Sequence, residues 1–133
     1  VKLDQKAAAK RLQRWQRIAE EAAKQCQRAE LPKVSSLLSF AEVIDQLKAR
    51  QPDELVLFPY EHEEQVGIKD LTVKDCRAVS IVVGPEGGFH TSEVEEARQA
   101  GAHIITLGPR ILRTETAGLV ALSLVGYRWG DLG

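Results

Sequence analysis

The segment "AVSIVVG", residues 78–84, is the strongest constraint on the fold. It reads as apolar throughout, without the alternation of a strand that faces water on one side. Such a run suits a strand covered on both faces of a parallel sheet. "HIITLG" (103–108) has the same character, and "ELVLFPY" (54–60) is a third strand, stopped by Pro59. Between the first two lies "TSEVEEARQAG", a short helix with Thr91 or Ser92 as cap and Gly101 as stop. Its early Glu93, Glu95 and Glu96 sit where the helix dipole favours acids. Strands alternating with helices predict an α/β domain with a mainly parallel sheet flanked by helices.

Upstream, Asp4 is placed to cap a helix in which Leu12, Trp15, Ile18, Ala19, Ala22 and Cys26 follow helical spacing. Lys10, Arg14, Arg17, Lys24 and Arg28 fall largely elsewhere on it. Leu31-Pro32 is expected to end it, because proline pushes the preceding residue out of the α region. "SFAE" (39–42) has the form of a capping box for a second helix, with Phe40, Val43, Ile44 and Leu47 on its buried face. Residues 61–76 are acidic and irregular, and predict a surface loop with a short strand near 66–68. "TAGLVALSLVGYRWG" (116–130) predicts a final helix, apolar on most sides and therefore buried. Neither a repeat nor a low-complexity linker interrupts the chain, so one domain is expected over 1–133.

The 133 residues suffice for one core, and their 44% hydrophobic content is ordinary for a globular protein. No apolar run approaches the roughly 18 residues of a membrane span. Cys26 and Cys76 lack metal-like spacing and read as buried or inert thiols of a reducing cytoplasm. The lack of methionine suggests a piece of a longer protein. The net charge of −1 is unevenly spread: residues 1–33 hold nine Lys/Arg against four Asp/Glu, and residues 34–76 hold four against nine. The basic end suits an anionic partner such as RNA, or is simply a solvated helix face.

Three strand ends run into unusual loops, "FPYE", "GPEGGF" and "LGPRILRTETA". Ligands of parallel sheets lie beyond the carboxyl ends of the strands, so these loops are the expected walls of one site. "IVVGPEGGF" (81–89) matches neither the dinucleotide fingerprint nor the phosphate loop with its lysine. Glu86 would repel a polyphosphate, so the loop suits a cationic or hydrogen-bond-donating ligand. Gly87 and Gly88 would admit a close backbone approach, or merely form a tight turn. "LGPRILRTETA" (107–117) sets Arg110, Arg113 and Glu115 beside Ile111 and Leu112, then enters a helix at its N-terminus. Arg113 there could hold a phosphate or stabilise charge on a reacting base. A buried Arg113–Glu115 ion pair is the competing structural account.

"IVVGPEGGF", "LGPRILRTETA" and the ending "GDLG" together resemble the catalytic domain of the RsmE family. "RWQRIAEEAAKQCQRAELPKV" resembles that family's helix leading into the domain. These are bacterial SPOUT-class enzymes that methylate N3 of a uridine in 16S ribosomal RNA of the small subunit, using S-adenosylmethionine. The resemblance implies a C-terminal trefoil knot, although chains almost never knot. It also implies a homodimer with the site near the subunit interface, which would give the apolar final helix (119–125) a use beyond the core. The family's N-terminal PUA-like RNA-binding domain has no counterpart in these residues. The chain alone is therefore expected to bind cofactor and dimerise but to turn over ribosomal RNA poorly.

Carried over position by position, the resemblance implies an adenosine site between Phe58, the loop Gly84, Pro85, Glu86, Gly87, Gly88, and the segment Leu107, Gly108, Ile111, Leu112. Glu86 would sit near a ribose hydroxyl or the cationic part of the cofactor. Arg113, or Arg110, would stabilise charge on the uracil as N3 loses its proton. Glu115 would orient the arginine or help move the proton. His90 and His103 remain candidate proton acceptors beside the plainer reading of them as the starts of a helix and a strand, and no metal is implied. Two other readings stand beside this one: a non-catalytic RNA-binding or assembly module of the same fold, and a SPOUT methyltransferase acting on another RNA position.

Overall fold

The structure, a computed structural model, describes residues 4–133, so Lys2 of the basic stretch lies outside the described residues. The chain divides into two compact units, residues 1–39 and 40–133.

The first unit is built on α1, Gln5–Gln25. Asp4 caps it as expected, its Oδ1 accepting from the Ala7 amide at 2.7 Å. The helix ends well before Pro32. Gln27 turns left-handed at φ 61°, and the amides of Arg28 and Gln27 donate to the carbonyls of Ala23 (2.8 Å) and Lys24 (3.2 Å). This paired closure satisfies the orphan carbonyls, so proline is not what stops the helix. The following segment is tied back to α1 by Gln16, whose amide donates to Pro32 O at 2.8 Å and accepts from Val34 N at 2.7 Å. The covered stripe of α1 is also shifted from expectation: Ala23 is buried and Leu12, Trp15 and Ala19 are half-buried, while Ile18, Ala22 and Cys26 are exposed.

The second unit is an α/β domain. Its elements are α2 (Phe40–Lys48), β1 (Glu54–Pro59), β2 (Ala78–Ile81), α3 (Thr91–Gln99), β3 (His103–Ile105) and α4 (Thr114–Trp129). The three strands form one parallel sheet in the order β2-β1-β3. Leu57 pairs with both Ile81 and His103, and Pro59 with Ile105. Alternate residues of β1 face opposite layers. Val56 and Phe58 pack with Ile44, Leu47, Val94, Ala97 and Ile104 under α2 and α3. Leu55 and Leu57 pack with Ile68, Leu71 and Ile105, joined by Val125 and Trp129 of α4.

The strand covered on both faces is thus β1. β2, expected in that position, is an edge strand of four residues and only partly buried. Apolarity alone does not distinguish the middle of a sheet from an edge that meets something else. α3 is also capped differently from expectation. His90 holds the cap position, its amide donating to Glu93 Oε1 at 2.8 Å. Gly101, at φ 100°, closes it as predicted.

Residues 61–76 are less of a surface loop than their composition suggests. The strand expected near 66–68 is reduced to a single bridge from Gly67 to Thr106. Beyond it a 3-10 turn, Ile68–Asp70, delivers Ile68 and Leu71 to the core. Arg128 of α4 clamps this segment, its guanidinium donating to the carbonyls of Ile68 (3.1 Å), Leu71 (2.9 Å) and Val73 (3.2 Å). The Trp129 indole N–H also donates to Val73 O, at 3.1 Å. Hydrogen bonds to charged donors are worth about 1.5–3 kcal/mol, and partly buried carbonyls left behind cost more than the bond itself. Arg128→Ala is expected to lower the unfolding free energy by about 2–3 kcal/mol in urea titration; a loss below about 0.5 kcal/mol would show that the clamp contributes nothing.

α4 departs furthest from its predicted burial. It starts at Thr114, two residues earlier than the pattern suggests, so Glu115 stands in its first turn. Among its residues Ala121 is buried, but Leu119 is 67% exposed, Leu122 61% and Tyr127 70%. One side packs on the sheet and the other is an uncovered apolar surface. No helix among the described residues is long and apolar enough to cross a membrane.

Candidate active site

Because the strands are parallel, their carboxyl ends all open at one edge of the sheet. The loops that follow them enclose a cleft of about 620 Å³. Pro59 ends β1, and Tyr60 and Glu61 follow it; Val83 to Glu86, Gly88 and Phe89 follow β2; Thr106 to Arg113 follow β3. Thr114, Glu115 and Ala117 bring the N-terminus of α4 to the same space. The three walls read from "FPYE", "GPEGGF" and "LGPRILRTETA" therefore meet in one site.

The glycine loop has two positions at which no side chain fits easily. A methyl group on Gly84 would come within 2.8 Å of the Phe89 ring. Phe89 lies on Gly84 because Phe58 supports it from below, with ring centroids 4.2 Å apart. Gly88 has φ 76°, and its amide closes a turn onto Pro85 O at 2.8 Å. That left-handed backbone strains any other residue. A Cβ there would also stand 3.2 Å from Glu61 Oε1, which places the Glu61 carboxylate directly over the loop.

Two expected wall residues are placed elsewhere. Phe58 is 0% exposed and contributes no surface to the cleft. It acts from beneath, through Phe89, and Pro59 takes the wall position. Alternation explains this: a residue inside the middle strand of a covered sheet points into a layer, and only the strand's end reaches the cleft. Gly87 lies outside the lining. Gly84, Pro85, Glu86, Gly88, Leu107, Gly108, Arg110, Ile111, Leu112, Arg113 and Glu115 all line it.

The third wall is held at its start by Thr106, whose hydroxyl accepts from the Gly108 amide at 3.1 Å. Beyond it Ile111 projects, 82% exposed, at the cleft. An apolar side chain so open to solvent beside a cavity is available to cover a ligand. Arg113 takes the cap position of α4 in extended backbone, φ −63° and ψ 153°. Arg113 and Glu115 are both exposed, and among the described residues no ion pair joins them. The competing account of a buried structural pair is therefore overturned; both groups remain available to a ligand.

Sequence reasoning places Tyr60, Glu61 and Phe89 in the expected walls without giving any of them a ligand contact, and it misses Val83 and Thr106 altogether. Tyr60 and Glu61 carry a signal, since they continue a strand into a wall; Phe89 and Thr106 act through local packing that sequence does not encode visibly. Beside this wall, Glu63 accepts from the amides of Val66 (2.9 Å) and Gln65 (3.0 Å), which holds its carboxyl below the usual range. His90 and His103 do not line the cleft. Cys76, half-buried, has its thiol pushed up by burial and by Asp75, and is far from a reactive thiolate. Among the described residues no His/Cys/Asp/Glu group is arranged to hold a metal.

The parallel sheet thus opens on a cleft walled by glycines and apolar side chains and bordered by Glu61, Glu86 and Glu115, with Arg110 and Arg113 on the same lining. Residues 1–126 match the model of the RNA methyltransferase domain family. The ribosomal RNA small subunit methyltransferase E of Bacillus subtilis is 39% identical over 133 residues, 96% of this chain and 51% of the relative. That of Mycobacterium bovis is 34% identical over 123 residues, 90% and 47% of the two chains. A crystal structure of the Neisseria gonorrhoeae methyltransferase E bound to S-adenosyl methionine superposes with a TM-score of 0.84 at 35% identity, covering 96% of this chain and 52% of that one. The chain belongs to this RNA methyltransferase family, within its small-subunit methyltransferase E (RsmE) group. It spans about half the length of the curated relatives it matches.

Proposed function

We propose that the cleft binds S-adenosylmethionine and that the chain methylates N3 of a uridine in 16S ribosomal RNA of the small subunit. The observation that carries this is the meeting of the three loops in one cleft at the carboxyl edge of the sheet. Its volume is in the range that holds a cofactor-sized molecule. Leu107, Ile111 and Leu112 offer apolar surface for an adenine, and the bare backbone at Gly84 and Gly88 permits close approach. Glu86, with Glu61, suits ribose hydroxyls or a cationic centre.

When bound, the cofactor supplies an electrophilic methyl group on a positively charged sulfur. Transfer forms the N–CH3 bond and breaks the S–CH3 bond, so the protein's work is mostly positioning. The uracil N3 loses its proton and its ring oxygens gain charge. Arg113 or Arg110 stabilises that charge beside the amino end of α4, where the helix dipole has the same sign. Glu115, on the same lining, assists the proton's departure or orients the arginine, the latter only once substrate is bound, since among the described residues no ion pair joins it to Arg113 or Arg110.

The same reading takes residues 1–133 as one SPOUT catalytic domain, with the segment after β3 threaded as a trefoil knot. It places the N-terminal RNA-binding domain outside these residues, consistent with relatives about twice as long. The exposed Leu119, Leu122 and Tyr127 support a homodimer through α4. A ribosomal substrate implies a cytoplasmic enzyme. Calorimetry should show one S-adenosylmethionine per chain. Methylation of small subunits, followed by mass spectrometry of the nucleosides, should yield 3-methyluridine. A folded dimer that binds no cofactor would favour the non-catalytic module; a methyl group on ribose or another base would favour a different SPOUT specificity.

A further inference from the structure

We propose that the outward face of α1 is a docking surface for the phosphate backbone of RNA. The inference rests on the reading of RNA as the partner, and adds where this chain holds it.

At about 100° per residue, Lys6, Lys10, Arg14, Arg17 and Lys24 fall within an arc of about 80° on α1. The arc lies opposite the stripe of Leu12, Trp15, Ala19 and Ala23, which is the covered side. All five cations are exposed, and among the described residues none is in an ion pair. From Lys6 to Lys24 the stripe runs about 27 Å at 1.5 Å per residue. Glu21 is the one carboxylate within it.

A helix face kept only for solubility would mix signs, with acids four residues before bases. Here Lys6–Lys10 and Lys10–Arg14 are like-charged neighbours at that spacing, which weakens a helix by about 0.2–0.5 kcal/mol per pair, and opposite charges at that spacing occur only further along, at Arg17–Glu21 and Glu20–Lys24. A linear row of phosphates along the stripe reverses the sign of that cost. An anionic membrane would call for apolar side chains along the margins of the basic arc. The margins instead hold Gln13, Glu20 and Gln25, with Ile18 the single large apolar side chain among them.

The test is fluorescence anisotropy of a labelled RNA hairpin with the full chain, between about 50 and 200 mM salt. In the Lys10→Gln, Arg14→Gln, Arg17→Gln variant the slope of log K against log salt should fall by about 2–3, and binding at low salt should weaken by about tenfold or more. Circular dichroism should show α1 intact, and calorimetric affinity for S-adenosylmethionine should be unchanged. Lys48→Gln, Lys69→Gln, Lys74→Gln removes the same charge from the second unit and should leave the slope near wild type. An unchanged slope in the α1 variant overturns the proposal, as does an equal fall in the control. Wild-type binding to vesicles of anionic lipid in place of RNA also overturns it. Loss of cofactor binding in the wild type would instead strike the reading of the cleft.

Discussion

Phe58→Ala is expected to lower the unfolding free energy by about 3–5 kcal/mol, the range for deleting a fully buried aromatic ring. The ring is 0% exposed in the middle strand of the sheet. It packs with Ile44, Leu47, Val94 and Ile104, so α2, α3 and β3 all border the cavity that its removal leaves. The loss should also reach the cleft. Phe89 rests on Phe58 at 4.2 Å between centroids, and its ring is what Gly84 must accommodate. With its support gone, Phe89 can sink, and the wall at Gly84 moves with it. Guanidinium unfolding reads the first effect and calorimetry with S-adenosylmethionine the second. A cost under about 1 kcal/mol would mean the site collapses without strain. An affinity unchanged in the surviving folded fraction would mean that Phe58 supports the core but not the loop.

Arg113→Ala is expected to lower the single-turnover rate of methylation by about 100- to 1000-fold, the cost of removing one preorganised charge stabiliser. Cofactor affinity should change only a few-fold. Arg113 stands at the cap of α4, exposed and lining the cleft, free of any pairing with Glu115 among the described residues. Its removal takes away charge stabilisation while leaving Gly84, Leu107 and Leu112 in place. The folded structure should be unaffected, since no described hydrogen bond or ion pair depends on its side chain. A rate within about threefold of wild type would remove Arg113 from the role and turn attention to Arg110, which lines the same wall.

Much of the cleft is legible in the amino-acid sequence. A parallel sheet opens its ligand site at the carboxyl ends of its strands, so three strands each followed by a glycine- or proline-rich loop define a site by topology alone. The residues of "GPEGGF" and "LGPRILRTETA" come together for that reason. Phe58 is misplaced by one residue in such a reading, because a strand's end and its last inward-facing side chain are not separable without the pleat. Glu61 gains its importance from a turn at Gly88 that brings its carboxylate over the loop, a contact across more than twenty residues.

The sequence by itself determined most of the strands and helices, the stretch near 66–68 excepted, and which loops gather at one edge, because hydrophobic period and turn chemistry are local properties. Only the tertiary structure decided which strand is central. β1, with Leu55 to Phe58 facing two layers, is buried by its neighbours, whereas the equally apolar β2 lies at an edge. It likewise decided that Arg128 directs its charge to three backbone carbonyls of a segment nearly sixty residues away, and that the apolar α4 turns Leu119 and Leu122 outward. Burial is a property of what surrounds a residue, and a local pattern records that a side chain avoids water, not what covers it.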